Sequence, residues 1–187
     1  MAMKLRSLFA LFALFSTILP AGCGGENQRQ IDVNDFRVNT TDASELFFKN
    51  VRSTYYKVEE NEAAGLRIYR KNSWEGTSAI LPLAIVVSWK QDKAFVLVEP
   101  QEPLSATDPI TIHWKNEAEG SKGTIQVTLN NHKAHFKLAV ALYNKILEEC
   151  SFMLEHGGGE MTILDTEEKR ESFRVSMYDY FRLVEFF

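Results

Sequence analysis

The sequence is poor in the residues that mark several specialised protein classes. Its 187 residues include only two cysteines, five prolines and ten glycines. Two cysteines exclude a disulfide-stapled scaffold and a zinc site built from several thiolates. The scarcity of glycine and proline excludes a fibrous repeat, and the 45% share of hydrophobic residues excludes a disordered chain. The length and composition that remain predict a folded protein of one domain.

Several catalytic and binding motifs are also missing from the sequence. The chain has no glycine-rich phosphate loop, no dinucleotide-binding fingerprint, no His-Glu-x-x-His and no Cys-x-x-Cys. It has no cluster of lysines and arginines, so we do not expect nucleic acid as a partner. We therefore predict no cofactor and assign no residue a catalytic or metal-binding role.

The first 22 residues form a hydrophobic leader. Lys4 and Arg6 precede an apolar run of twelve residues from Leu8 to Leu19, and small residues follow it. This charge, length and ending are typical of a secretory signal peptide. As a helix the run would be about 18 Å long, shorter than the roughly 30 Å that a membrane span needs. An uncleaved N-terminal anchor is the alternative interpretation.

Cys23 follows the leader directly, and Leu19-Pro20-Ala21-Gly22-Cys23 resembles the lipobox of bacterial lipoproteins. The resemblance implies cleavage before Cys23, acylation of Cys23, and stable anchoring through two or three acyl chains. It places the protein in the bacterial cell envelope. Gly24, rather than an aspartate, after the cysteine implies sorting to the outer membrane, facing the periplasm.

The predicted organisation is a signal peptide over residues 1–22, the lipidated Cys23 with a polar tether to residue 30, and one globular domain over residues 31–187. Removing residues 1–22 removes two basic residues and no acidic one. The remaining 165 residues carry 19 basic and 25 acidic side chains, a formal charge of −6. This acidic balance is compatible with a basic protein partner.

Cys150 is the other cysteine. It lies between apolar residues, so we expect a buried and unreactive thiol. If Cys23 were not acylated, a disulfide between Cys23 and Cys150 would be the alternative in an oxidising periplasm.

Alternating or continuous apolar patterns predict the strands. The segments 79–89 and 94–98 are apolar on both faces, which predicts a central strand pair covered on both sides. Period-two alternation predicts further strand pairs at 54–58 with 66–70 and at 110–115 with 124–129. A short hairpin is expected from 152–154 and 161–164, around three glycines.

Three segments have helical spacing of apolar residues. Asp42, with Glu45 three residues later, begins the first, whose predicted inward face is Leu46, Phe47 and Val51. Asn131 caps the second, and Asp165 with Glu168 begins the third. Together with the strands, these helices predict an α+β fold: a mainly antiparallel β-sheet with about three helices packed on it.

His132 and His135 are the first candidate site. A spacing of three on a helix can present two imidazoles to one metal ion, with His156, Glu155 or Glu160 as candidate third ligands. This region supports one alternative function, a small envelope hydrolase or a metal-binding protein. The simpler interpretation is two polar residues in an exposed first turn.

Two other histidines are candidates for catalytic chemistry. His156-Gly157-Gly158-Gly159 matches the oxyanion-hole motif of lipases and esterases, but the chain has no Gly-x-Ser-x-Gly nucleophile, so we predict a flexible hairpin turn. His113 lies on the polar face of its strand with no neighbour in the sequence pattern to orient it as a general base. Solvated sheet surface is the expectation there.

The preferred hypothesis is therefore a membrane-anchored envelope lipoprotein that acts by binding a protein partner, as an assembly or accessory subunit or as an inhibitor. The membrane is contacted through acylated Cys23. Tyr55, Tyr69, Trp74 and Tyr178 are candidate interface aromatics, because tyrosine and tryptophan are enriched in binding hot spots. A further alternative is a carrier of a small apolar ligand, which needs a core cavity of several hundred Å³.

Overall fold

The computed structural model describes residues 29–74, 80–105 and 108–187. The leader, the lipobox and Cys23 lie outside the described residues. Within them, the chain forms eight strands and three α-helices, with the strands arranged in two four-stranded antiparallel sheets. The predicted α+β class is confirmed. The strands are divided between two sheets, however, where the sequence suggested one.

The first sheet is a meander in which each strand pairs with the next. Its order is β1 (Tyr56–Asn61), β2 (Leu66–Lys71), β3 (Leu83–Ser88) and β4 (Lys93–Val98). β3 is buried along its whole length, as its continuous apolar run predicts. β1 begins two residues later than the predicted 54–58 and continues to Asn61, so the charged residues Glu59 and Glu60 belong to this exposed edge strand.

β4 corrects the prediction of a central strand pair, because it lies at an edge of the sheet. The chain just before the first helix covers the beginning of the outer edge of β4. The N–H of Ala94 donates to the carbonyl of Val38 at 2.7 Å, and the N–H of Thr40 donates to the carbonyl of Asp92 at 2.9 Å. This cover explains how an edge strand can be as apolar as an inner one.

The second sheet combines two hairpins. Its order is β6 (Ser121–Val127), β5 (Ile110–Asn116), β7 (Ser151–His156) and β8 (Gly159–Ile163). Ile110 and Ile112 are buried, and the alternate side chains face outward, as the alternation predicts. The pairing of β5 with β7 places His113 opposite Met153 on the outer face.

The helices are α1 (Asp42–Phe47), α2 (His132–Leu147) and α3 (Glu167–Leu183). A π-helical turn (Phe48–Arg52) and a 3₁₀ turn (Ser53–Tyr55) extend α1 directly into β1. The predicted cap of α2 is confirmed, since the side chain of Asn131 accepts the N–H of Ala134 at 2.9 Å.

α1 begins at Asp42 as predicted, but a different pair of residues forms its capping box, and α3 begins at Glu167, with Thr166 rather than Asp165 as its cap. The hydroxyl of Thr41 accepts the N–H of Ser44 at 3.2 Å, and that of Thr166 accepts the N–H of Lys169 at 3.3 Å. Ser44, rather than Glu45, completes the capping box of α1. Asp and Thr are neighbours at both sites, and each is a good cap, so composition alone does not select between them.

One core joins both sheets to α2 and α3, and aromatic rings fill it. Tyr143 meets Phe181 edge-on, with 5.1 Å between ring centres. The largest fully buried side chains include Phe136, Tyr143, Phe152, Phe173, Tyr180 and Phe181. These rings occupy the helix–sheet interior in which the carrier hypothesis needs a cavity. Cys150 is buried there too, as predicted. None of the helices described is long and apolar enough to span a bilayer.

Candidate functional site

His132 and His135, at the start of α2, both contact β4 at the edge of the first sheet. Nδ1 of His135 accepts the backbone N–H of Val98 at 3.1 Å, and this N–H lies in the edge strand β4. Burial, with a contribution from His132, lowers the pKa of His135. The ring of His132 packs on Phe95, with 4.1 Å between ring centres. Both imidazoles therefore have structural contacts with β4.

The candidate third metal ligands do not join this pair. Across residues 29–74, 80–105 and 108–187, no three His, Cys, Asp or Glu side chains are grouped so that they could hold one metal ion. His156, Glu155 and Glu160 belong to the β7–β8 hairpin of the second sheet. The geometry thus adds no support to the metal hypothesis beyond the spacing of three residues.

The glycine motif after His156 forms a tight hairpin turn. Gly157 and Gly158 connect β7 to β8 with φ of 59° and 80°, and His156 pairs with Gly159. Two successive residues with positive φ are typical of the type I′ turns that favour glycine. The prediction of a turn is confirmed, and the glycines are explained by backbone geometry.

The four candidate interface aromatics divide into two pairs. Tyr69 and Trp74 are buried in the core, so neither is available to a partner. Tyr55 is exposed, and Tyr178 is half-buried next to the C-terminus. Of the two C-terminal phenylalanines, Phe186 is buried and Phe187 is exposed, so only Phe187 could contact a partner.

An open groove crosses the outer face of the second sheet, and we call it the outer groove. Its volume is about 730 Å³, which is within the range of ligand sites. Its floor includes Met153 at the centre, between β5 and β8. Its lining residues are His113, Trp114, Lys115, Glu117, Lys122, Gly123, Thr124, Ser151, Met153 and Glu160.

His113 is more tightly held than the sequence suggested, because two neighbours on other strands orient it. Its Nε2 lies 2.6 Å from Oε1 of Glu155, and its Nδ1 lies 2.9 Å from Oγ1 of Thr124. With the proton on Nε2, the imidazole donates to the carboxylate and accepts the hydroxyl. The expectation of an imidazole without partners is corrected: pairing across three strands supplied partners that no local pattern contains.

Trp114 borders the outer groove, but its side chain lies on the inner face of the second sheet, where it packs against the core and is fixed from both sides. Gly123 lies opposite it in β6, and a Cβ at Gly123 would come within 2.7 Å of the indole. On the other side, the ammonium of Lys145 in α2 lies 4.0 Å from the ring centre. The absence of a side chain at Gly123 therefore lets the indole lie flat on the sheet, and Lys145 holds it there.

A second surface lies on the helical segment 42–55. The side chains of this segment that the sequence predicts to face the core face solvent instead. Phe47, Val51 and Tyr55 follow one another at intervals of four and face outward, and we call them the outward stripe. Phe48 faces the core in their place. Leu46 and Val58 flank the stripe, and these five side chains are between 36% and 60% exposed. The predicted inward face of Leu46, Phe47 and Val51 is thus wrong.

Comparison of the chain with protein-family models, with curated proteins and with solved structures gives no match. The functional assignment therefore depends on the outer groove, on the outward stripe and on the N-terminal sequence.

Proposed function

We propose that this protein is a bacterial envelope lipoprotein, anchored through acylated Cys23, that acts by binding a protein partner in its outer groove. The anchor is supported by the leader and the lipobox resemblance. The binding role is supported chiefly by one observation, the outer groove with Met153 in its floor and charged side chains around it.

The composition of the outer groove is that of an adaptable binding surface. Methionine adjusts its shape to an incoming side chain, and Met153 lies in the floor of the groove. Charged side chains surround it, including Lys122 and Glu160. An apolar centre with a polar rim is the usual anatomy of a protein interface.

A photoreactive amino acid at position 153 tests this role in native membranes. We expect one discrete crosslinked adduct from position 153 and none from the control position 133, an exposed site at the start of α2. Lys122→Glu in the same background is expected to weaken the adduct, because it reverses a charge that lines the groove. The absence of an adduct at 153, or the same adducts from both positions, would contradict partner binding in the groove.

A second candidate function, ester hydrolysis, is favoured by one arrangement in the same groove. Glu155, His113 and Thr124 place a carboxylate, an imidazole and a hydroxyl in the order that activates a nucleophile. In this scheme the Thr124 oxygen attacks the acyl carbon while His113 Nδ1 takes the Thr124 proton. The ester C–O bond then breaks as His113 passes this proton to the leaving alkoxide, and a water molecule activated by His113 hydrolyses the acyl-Thr124 intermediate. These residues differ from His132 and His135, the pair that the sequence suggests for hydrolysis.

Turnover of small activated esters tests hydrolysis. An active site of this kind predicts turnover by the wild type, with at least a hundredfold loss in both His113→Asn and Thr124→Val. Equal rates in the wild type and Thr124→Val would rule out Thr124 as the nucleophile. The crosslinking result at position 153 does not depend on this outcome.

A further inference from the structure

The outward stripe combines exposed apolar side chains with basic ones. Residues 46–58 contain Lys49, Arg52 and Lys57 and no acidic residue, in a chain whose formal charge is −4. Arg182 of α3 joins them, since its guanidinium lies 4.3 Å from the ring centre of Phe47. The acidic side chains of α1, Asp42 and Glu45, lie in its first turn.

This segment cannot turn its apolar side inward without breaking buried contacts. Phe48 already fills the core position, with its ring centre 5.0 Å from that of Tyr69. Arg52 is held by the buried carboxylate of Asp179, at 2.7 Å from Nε to Oδ1. The stripe is therefore a fixed feature of the folded domain, and its exposed apolar area is available to a partner.

The large exposed apolar side chains of the described residues are concentrated in one region. They are the five of the stripe and its flanks, together with Phe187. Phe187 stacks on Tyr178 at 5.4 Å between ring centres, and Arg182 bridges Tyr178 to Phe47. A continuous series of ring and cation–ring contacts thus joins the C-terminal residue to the stripe.

Arg29, the first described residue, adds one more cation–ring contact at the Phe187 end of this series. The guanidinium of Arg29 lies 5.0 Å from the ring centre of Phe187 and donates to the carbonyl of Phe186. Cys23 precedes Arg29 by six residues. Six residues span at most about 20 Å when fully extended. An acyl anchor on Cys23 therefore keeps Arg29, and with it the Phe187 end of this surface, close to the bilayer.

We propose that the outward stripe docks on the surface of the membrane, with anionic phospholipid as its occupant. Phe47, Val51 and Tyr55 enter the boundary between headgroups and acyl chains, and Lys49, Lys57 and Arg182 face the anionic headgroups. Exposed aromatic and aliphatic side chains with basic neighbours are the signature of segments that lie in the interface. This inference rests on the anchor of the proposed function and leaves the outer groove, on the other sheet, to the protein partner.

The test uses the acylated full chain reconstituted in vesicles of phosphatidylethanolamine and phosphatidylglycerol. A fluorophore is attached at Val51→Cys, with Lys122→Cys in the outer groove as the matched control. We expect at least fivefold weaker quenching by aqueous iodide at position 51 than at 122, and quenching at 51 alone by a nitroxide within the bilayer. Adding Lys49→Glu should reduce this protection, whereas Lys133→Glu on α2 should not.

Equal iodide quenching at both positions would overturn membrane docking. Protection of position 51 in native membranes but not in lipid vesicles would also overturn it, because a protein would then cover the stripe. Failure of the anchor is seen separately, as wild-type protein that does not float with the vesicles. Failure of the groove is seen separately as well, in the crosslinking at position 153.

Discussion

Arg52 and Asp179 form a two-pronged ion pair that fixes the first helical segment against α3. Nε lies 2.7 Å from Oδ1 and Nη2 lies 3.1 Å from Oδ2. The hydroxyl of Tyr56 donates to Oδ2 at 2.7 Å, and burial together with the Asp179 carboxylate raises the pKa of Tyr56, so it remains a donor. The pair decides which side of residues 46–55 faces the core.

Replacing Arg52 alone and replacing Asp179 alone should lower the free energy of unfolding by unequal amounts. The side chain of Asp179 is 1% exposed and that of Arg52 is 25% exposed. Arg52→Met leaves a buried charge without a cation, so we expect it to lower the free energy of unfolding by about 3–5 kcal/mol. Asp179→Asn leaves a guanidinium that water can reach, and its loss should be smaller. Urea unfolding measures both.

Arg67→Met is the matched control, because Arg67 pairs with the exposed Glu60 in the first sheet. Exposed pairs contribute about 0–1 kcal/mol, so this variant should remain near the wild type. Equal losses in Arg52→Met and Arg67→Met would contradict the role assigned to the buried pair.

The lowered pKa of His135 predicts that the stability of the folded protein depends on pH. Because burial lowers its pKa in the folded protein, the unfolded chain takes up the proton first as pH falls. The associated stability is complete above the unfolded pKa of about 6.5 and is lost progressively below it. His135→Asn keeps an acceptor for the N–H of Val98 without titrating, so its unfolding free energy should fall less between pH 7 and pH 5. A parallel decline in both proteins would refute this.

Gly123 should not tolerate a side chain, because of its contact with Trp114. A methyl group at Gly123 meets the indole at 2.7 Å, so Gly123→Ala must displace the ring and should cost about 1–3 kcal/mol. Tryptophan fluorescence and urea unfolding report the two effects. Gly159→Ala is the control, because the nearest atom to its added methyl lies at 3.8 Å. Similar spectra and stabilities for both variants would contradict the packing described.

Cys150 should be unreactive in the folded protein. Its side chain is fully buried, and burial raises the pKa of the thiol, so both access and thiolate formation are suppressed. We expect a thiol reagent to modify position 150 at neutral pH only after unfolding by urea. Rapid modification of the native protein would show that the core opens, and it would also remove the selectivity needed for labelling at position 51.

The local patterns of the sequence predict most of the fold. Alternation identifies the strands around Ile112 and Ile125, and Asn131 marks the start of α2 where the structure has it. The pairing of β5 with β7 joins residues about forty positions apart, and no local pattern contains it. For the same reason the sequence suggests one sheet where the structure has two.

The candidate sites depend still more on distant contacts. Phe47 and Phe48 are adjacent and equally apolar, so helical periodicity does not choose between them. The choice is made by the packing of Phe48 on Tyr69 and by Asp179, which lies 127 residues from Arg52. His113 likewise gains its two partners from β6 and β7. The outward stripe and the outer groove therefore cannot be predicted from local sequence patterns, because contacts between distant residues form them.

Crosslinking of the native protein in its own membranes, followed by affinity purification and mass spectrometry, tests the binding function most directly. Cys23→Ala is the control that lacks the acylation site. We expect the wild type to recover a stoichiometric envelope partner that is lost in Cys23→Ala. Recovery of no partner from the wild type, under conditions in which the protein is abundant and membrane-bound, would contradict an anchored binding protein.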